Sequence, residues 1–190
     1  MRDRTRSGPR ERLLAAAERM TYTEGLTVGV DALLRVADVA RRSLYEHFGG
    51  KDGLLVEVLR RSTDNDLRRY REVMDAAGTD PRDRLLAIFD DLDTVTSAPD
   101  FRGCRYLAAD LAVPAADHPI HAVSTAYRAE VHRLLRAECD ALAGDDGAEL
   151  ADRLHLLIEG VLSAAAVTAI TRPARTARRL AADAIAATVS

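Results

Sequence analysis

The fold is decided by residues 27–53, which read TVGVDALLRVADVARRSLYEHFGGKDG. In the first half, apolar residues recur at the i, i+3, i+4 and i+7 spacing that gives a helix one buried face, at Val30, Leu33, Leu34 and Ala37. Thr27 is predicted to cap this short helix. Asp38 then interrupts the period, and Asp tolerates the left-handed conformation that a sharp turn between helices requires. A second short helix is predicted at about residues 40–47.

The second of these helices carries side chains suited to a nucleic-acid groove. Val39, Leu44 and Phe48 can anchor it to the first helix, which leaves hydrogen-bond donors and an aromatic ring facing outward. In a helix-turn-helix, the start of the second helix meets base edges while neighbouring residues hold phosphates. The predicted base contacts are Arg41, Arg42 and Ser43, and the predicted phosphate contacts are Thr27, Tyr45, His47 and Lys51.

Lys51 is the single lysine of the chain, whose other basic residues are all arginines or histidines. It stands at a predicted helix amino-terminus, where the helix dipole and unpaired backbone N–H groups already favour a phosphate. A compact ammonium adds charge there without the planar fork of arginine. A nucleotide-binding loop would need Gly at position 45 and Ser or Thr at position 52, where this chain has Tyr45 and Asp52. These residues therefore indicate a DNA phosphate contact.

Together with the preceding helix of residues 12–25, this stretch resembles the amino-terminal domain of tetracycline-repressor (TetR) family regulators. It matches the family's Leu-Tyr-x-His-Phe-x-x-Lys run with residues 44–51, LYEHFGGK. Asp38 replaces the glycine usual in the turn, and Ala40 replaces the usual Ser or Thr cap, departures that could each cost on the order of 1 kcal/mol. The resemblance implies a sequence-specific DNA-binding transcriptional regulator, a repressor. The alternative is a helical ligand-carrying or interaction protein whose helix-turn-helix is vestigial.

Composition predicts an all-α protein of about nine helices. The chain has 190 residues, 47% of them hydrophobic, with only 6 prolines and 11 glycines, and Ala, Leu and Arg favour helix over sheet. The predicted domains are a DNA-binding domain of residues 1–53 and a ligand-binding and dimerisation domain of residues 54–190. Residues 1–60 hold eleven Lys or Arg against nine Asp or Glu, and the remaining residues hold sixteen against twenty-one. This division of charge agrees with a nucleic-acid contact in the first third.

The composition of the chain limits both its predicted cellular compartment and the chemistry that its side chains can perform. Two cysteines are too few for a disulfide scaffold, and no apolar signal segment follows the start, so we expect a cytoplasmic protein without a membrane span. The histidines lack metal-ligand spacing, and no nucleophile motif is present, so we expect no metal, no cofactor and no enzymatic activity. Cys104 remains open between a covalent sensor and a small buried side chain. An arginine-rich arm at residues 2–6 remains open between a minor-groove contact and a solvated tail.

The second half of the chain has the layout that the resemblance associates with a small-molecule effector. A helix predicted at about residues 51–77 would touch the DNA-binding helices at one end and a pocket at the other. The resemblance implies such a pocket, lined by apolar and aromatic residues with a histidine as a polar handle: Tyr70, Met74, Phe89, Leu92, Tyr106, Tyr127 and Ile158, with His121 or His155. Periodicity cannot separate a pocket wall from a filled core, and both remain open.

The last two predicted helices are expected to form a homodimer. Their apolar row recurs at i, i+4, i+7 and i+11, and a row of small residues that includes Gly160 would allow close approach between helices. The predicted interface residues are Leu150, Leu154, Leu157, Val161, Ala164 and Thr168. The resemblance implies a four-helix interface between two copies of the chain. Such a dimer carries two helix-turn-helix motifs, which predicts a palindromic operator in double-stranded DNA.

Overall fold

The computed structural model describes residues 8–167 and 170–189, most of which are helical. Within them nine α-helices follow one another: α1 (Pro9–Glu24), α2 (Val30–Ala37), α3 (Arg41–Phe48), α4 (Lys51–Ala76), α5 (Pro81–Thr96), α6 (Arg105–Ala112), α7 (Pro119–Ala143), α8 (Gly147–Val167) and α9 (Pro173–Thr188). A short 3-10 turn, Gly144–Asp146, joins α7 to α8. No strand occurs in the described residues. The all-α prediction is confirmed.

Proline and glycine set several of the helix ends. A proline opens α1, α5 and α9, where its fixed φ suits the first turn and its missing N–H is not needed. Gly25 and Gly49 end α1 and α3 with φ of 87° and 72°, which residues with a Cβ rarely adopt. Across the described part of the chain, none of the helices combines the length and apolar composition needed to cross a bilayer.

The chain divides into two compact units whose limits differ from the predicted boundary after residue 53. The amino-terminal unit comprises the residues up to Ser62 together with Arg105–Ser124, and the carboxyl-terminal unit comprises Thr63–Cys104 and the residues from Thr125 onward. Helices α4 and α7 each contribute residues to both units. The amino-terminal unit thus adds α6, which lies far along the chain, to the helix-turn-helix motif on which the predicted boundary was based.

The amino-terminal unit is built around the apolar faces of α1 to α4. The inner faces that the sequence predicts for α1 and α2 are buried, including Leu13, Leu14, Ala17, Met20, Leu33, Leu34 and Ala37. Leu44 of α3 and Leu54 of α4 complete this core. Arg105 secures α6 to the unit, because its guanidinium lies 4.7 Å from the Tyr22 ring centroid and donates to Ser62 Oγ over 2.9 Å.

The carboxyl-terminal unit is centred on α5, α8 and α9, which pack against one another. Phe89 of α5, Leu154 of α8 and Ile185 of α9 are fully buried in it. At its edge, the Asp93 carboxylate accepts from Arg172 over 2.6 Å and from Arg175 over 3.0 Å. Hydrogen bonding from Arg172, followed by that from Arg175, lowers the pKa of Asp93. This unit therefore has both an apolar core and an ion-paired rim.

Candidate nucleic-acid interface

The turn between α2 and α3 forms on the residue that the sequence predicts. Asp38 has φ 53° and ψ 55°, the left-handed conformation, and its backbone N–H returns to the end of α2. Arg12 of α1 donates to the Asp38 carbonyl over 2.8 Å. Ala40 precedes α3 without a side-chain cap, as predicted. The turn is thus supported from α1 where the sequence departs from the TetR pattern.

Helix α3 presents a largely polar outer face. Arg41, Arg42, Tyr45 and His47 are exposed, Ser43 is half-buried and Leu44 faces the core. Thr27 is exposed but does not cap α2, because Gly29, whose backbone is extended, occupies the cap position instead. The predicted capping role of Thr27 is therefore wrong, and its predicted phosphate contact stays a prediction.

Each arginine at the start of α3 has an acidic partner. Arg41 Nη2 lies 2.6 Å from Asp31 Oδ1 on α2. Arg42 Nε lies 2.5 Å from Glu46 Oε1, one helical turn along α3. The sequence prediction did not include either acid. The i, i+4 spacing could have revealed Glu46, whereas Asp31 is ten residues from its partner and carries no such signal.

Lys51, predicted to hold a phosphate, already has a partner within the protein. Its Nζ donates to the Leu26 carbonyl over 2.7 Å and thereby ties the loop between α1 and α2 to the start of α4. An ammonium has three N–H groups, so this hydrogen bond leaves two for other acceptors. The structure therefore assigns Lys51 an internal contact that the sequence did not predict, and its phosphate contact stays a prediction.

Replacing Lys51 should have two separate effects, one on the stability of the fold and one on the salt dependence of DNA binding. We expect Lys51→Met to cost about 1 kcal/mol of stability from the lost hydrogen bond to Leu26. We also expect it to flatten the slope of log affinity against log salt by about 0.9 per protomer, since one phosphate contact is lost. Thermal melting and DNA titrations at several salt concentrations measure the two effects. Lys51→Arg keeps charge and donors as the control, and an unchanged slope in Lys51→Met would leave only the internal role.

The junction of α3 and α4 depends on the absence of a side chain at Gly53. A Cβ built on this residue would lie 1.9 Å from the Phe48 carbonyl oxygen and 3.1 Å from its carbonyl carbon. Helix α4 therefore approaches the last residue of α3 closely. Arg10 of α1 also lies over the Phe48 ring, 5.5 Å from its centroid, and pairs with Glu57 of α4. These contacts fix the position of α3 within the amino-terminal unit.

The residues predicted to line a ligand pocket do not all fall in one unit. Six are buried in the carboxyl-terminal unit: Tyr70, Met74, Phe89, Leu92, Tyr127 and Ile158. Tyr106 and His121 belong to the amino-terminal unit. The buried residues suit a filled core as well as a pocket wall, so their ligand role stays a prediction.

The two histidines proposed as polar handles have different surroundings. The His121 ring nitrogens face Asp110 Oδ1 at 3.0 Å and the carbonyls of Val113 and Ala115 at 3.1 Å, which holds the connection between α6 and α7. His155, in the carboxyl-terminal unit, has a buried Nε2 that makes no hydrogen bond within the described structure. Burial lowers the pKa of His155 and favours its neutral form. The ligand role of both histidines stays a prediction.

Three of the six predicted dimer residues face the interior of their own protomer. Leu150, Leu154 and Val161 are buried inside their own protomer, where α8 packs on α5 and α9, so they are not available to a partner. Leu157 and Ala164 are half-buried, and Thr168 lies outside the described residues. The helical spacing correctly marked a buried face but could not tell an internal contact from one between chains. The outward row of α8 consists of Leu156, Gly160, Ser163 and Val167.

Other candidate chemistry finds little support in the described part of the chain. No group of three His, Cys, Asp or Glu side chains there could hold a metal ion. Cys139 is buried, and desolvation raises the pKa of its thiol to about 12, which disfavours the reactive thiolate. Cys104 is half-buried immediately before α6. The predicted arginine arm at residues 2–6 lies outside the described residues.

Comparison with known proteins connects this geometry to a family. The family model described as bacterial regulatory proteins, tetR family, matches residues 13–58. The HTH-type transcriptional regulator YjdC of Escherichia coli (strain K12) is 26% identical over 176 residues, which cover 92% of each chain. The structure of a TetR transcriptional regulator, sav143, from Streptomyces avermitilis is 33% identical and has a TM-score of 0.77. The match covers 93% of this chain and 99% of that one.

A further solved structure contains DNA. CifR, a TetR family transcriptional regulator described in complex with a 26-base-pair operator, is 25% identical with a TM-score of 0.71. The match covers 98% of this chain and 99% of that one. The family model falls on the helix-turn-helix unit, and sav143 matches nearly the whole chain at 33% identity. The chain therefore belongs to the TetR family of bacterial regulatory proteins, which are DNA-binding transcriptional regulators.

Proposed function

We propose that this chain acts as a homodimeric repressor that binds a palindromic operator and is released by a small, largely apolar ligand. The observation that carries the DNA-binding role is the exposed start of α3, where Arg41 and Arg42 face outward from a buried helix-turn-helix core. Guanidinium groups at this position suit guanine edges in a major groove. The operator complex of the relative CifR supports the same mode of binding.

The dimer would form through the outward faces of α8 and α9. Leu156 and Val167 of α8 are 73% and 79% exposed, and Leu180 of α9 is 51% exposed, which is unusual for large apolar side chains. Gly160, between the two α8 residues, has open space where a Cβ would lie and so permits close helix approach. A two-fold interface of this kind brings two helix-turn-helix motifs together. The two half-sites of the operator are then expected about one DNA turn apart or somewhat more.

Selection from a randomised duplex library tests the DNA-binding role directly. The purified wild-type protein should enrich a two-fold symmetric sequence, because the dimer presents the same face of α3 twice. Competition with a scrambled duplex of the same composition controls for attraction to phosphates alone. If no sequence is enriched over the starting library, the proposal of sequence-specific binding is wrong.

The ligand would act through α4, a single helix with residues in both units. Tyr70 and Met74 of α4 are buried in the carboxyl-terminal unit, and the same helix begins at Lys51 in the amino-terminal unit. A ligand that binds better when α4 is displaced shifts the population only by as much as its affinity differs between the two states. A tenfold loss of operator affinity requires about 1.4 kcal/mol of such a difference.

A screen that measures both melting temperature and operator affinity tests whether a small ligand releases the DNA. We expect some compounds to raise the melting temperature and lower operator affinity, and we expect Met74→Trp to remove this response by filling the space that the ligand needs. Overpacking costs about 1 to 3 kcal/mol, so DNA binding of the variant must be measured alongside its melting temperature. Met74→Leu, which nearly conserves volume, is the control. Compounds that stabilise the protein without changing operator affinity at saturation would contradict the proposed coupling.

A further inference from the structure

The outer surface of α2 and α3 places an acidic residue where a DNA-binding face is expected to be basic. Asp31 is the second residue of α2, and its side chain is 77% exposed. It lies 2.6 Å from Arg41, the first residue of α3, whose side chain is 54% exposed. In a helix-turn-helix, the start of the second helix faces the bases. The pair therefore stands at the position expected to meet the DNA.

Stability does not explain this pair. Ion pairs between solvent-exposed side chains contribute little to folding, because water screens them and both side chains lose freedom. A carboxylate at a DNA-binding face also repels phosphates and weakens attraction to any duplex. The carboxylate also favours the amino-terminal turn of α2, but that effect needs no contact with Arg41, so the contact itself points to a role at the DNA-binding face.

The hydrogen bond to Asp31 orients the Arg41 guanidinium relative to both helices of the helix-turn-helix, α2 and α3. Arg42 is paired within its own helix, to Glu46 four residues later. Arg41 is instead held from a different helix by Asp31, and the hydrogen bond to Asp31, followed by its charge, raises the pKa of Arg41. Its side chain is thus held from α2.

The remaining donors of Arg41 match one base. A guanidinium carries five N–H groups, and one hydrogen bond to Asp31 leaves four, enough for the two acceptors O6 and N7 of guanine. Orienting the side chain before binding reduces the entropy lost on contact. Asp31 also disfavours a swing of Arg41 onto a charged phosphate, whereas guanine offers neutral acceptors. We propose that Asp31 is a specificity-determining positioning residue that directs Arg41 to a guanine in each operator half-site.

This inference rests on the proposed DNA-binding function, and its test uses the duplex that the wild-type protein selects. In wild type, replacing the critical guanine by 7-deazaguanine, which lacks the N7 acceptor, should weaken binding about tenfold per half-site. In Asp31→Ala, the same base change should have little effect, while affinity for a scrambled duplex should rise because a negative charge is gone. The ratio of operator to scrambled affinity should therefore fall about tenfold per half-site.

The matched control is Glu46→Ala, which removes the same charge and frees Arg42 but leaves the pair of Asp31 and Arg41. It should gain affinity for scrambled DNA and keep its sensitivity to 7-deazaguanine. Arg41→Ala should be insensitive to 7-deazaguanine whether or not Asp31 is present. Thermal melting must show that each variant remains folded, and Asp31→Leu, which is close in shape but has no hydrogen-bond acceptor, serves if Asp31→Ala does not.

The outcomes separate this inference from the proposed function. If wild type selects no sequence, sequence-specific binding itself fails. If wild type selects a sequence whose guanines can all be replaced by 7-deazaguanine without loss, or if the folded Asp31 variant keeps the wild-type ratio and sensitivity, only the role of Asp31 is overturned. Loss of guanine sensitivity in Glu46→Ala as well would show that any freed arginine gives the effect, and would also overturn it.

Discussion

Gly53→Ala should lower operator affinity at least a hundredfold while leaving the carboxyl-terminal unit folded. The added Cβ would lie 1.9 Å from the Phe48 carbonyl oxygen, closer than any non-bonded contact allows. The obstacle is backbone and cannot rotate away as a flexible side chain would, so α3 and α4 must separate. Overpacking of this kind costs about 1 to 3 kcal/mol and occasionally more. Circular dichroism melting and operator titration measure the loss.

The control for Gly53 is Gly29, in the same unit. A Cβ at Gly29 meets nothing within 4 Å, and its φ of −72° suits any residue. Gly29→Ala should therefore change melting only slightly. If Gly53→Ala melts and binds DNA like wild type, α4 does not approach Phe48 as described and the position of α3 has another cause.

Leu156→Arg should convert the dimer to a monomer and weaken operator binding by a hundredfold or more. The residue begins the outward row of α8, and at a two-fold interface each substitution places an arginine on both sides. A monomer engages one half-site and loses the effective concentration that links the second, an effect of about 10² to 10⁴. Light scattering at micromolar concentration and titration of the selected duplex measure the two consequences.

Leu111→Arg is the matched control for the dimer. Leu111 is 77% exposed, as apolar as Leu156 and slightly more accessible, but it lies on α6, outside the proposed interface. It should remain dimeric and bind the operator normally. A wild-type monomer at micromolar concentration, or a Leu156→Arg variant that remains a dimer, would contradict the interface on α8.

Much of the fold could be predicted from interactions between residues that are close in sequence. The left-handed turn at Asp38 and the uncapped Ala40 follow from what those residues can do within a few positions. Helical spacing likewise identified Leu33 and Leu34 as buried, because burial repeats along a helix. These features depend on neighbours in sequence, and sequence reasoning predicts them well.

Contacts between distant residues were beyond the same reasoning. Neither the Lys51 hydrogen bond to the Leu26 carbonyl nor the pairing of Asp31 with Arg41 leaves a periodic signal, because each depends on how separate segments pack. The outward row through Leu156 was missed for a related reason. A buried stripe and an interface stripe have the same spacing, and only the packing of α8 on its own chain decides which is which.

The central claim is that the outer face of α3 reads DNA sequence, and one comparison of affinities tests it most directly. Wild type and the double variant Arg41→Ala, Arg42→Ala are titrated with the selected operator and with a scrambled duplex at one salt concentration. Wild type should bind the operator roughly a thousandfold or more tightly than the scrambled duplex, as specific complexes do. The folded double variant should lose most of that ratio, because it lacks both guanidinium groups. A wild type that binds both duplexes equally, or a double variant that keeps the full ratio, would contradict the account.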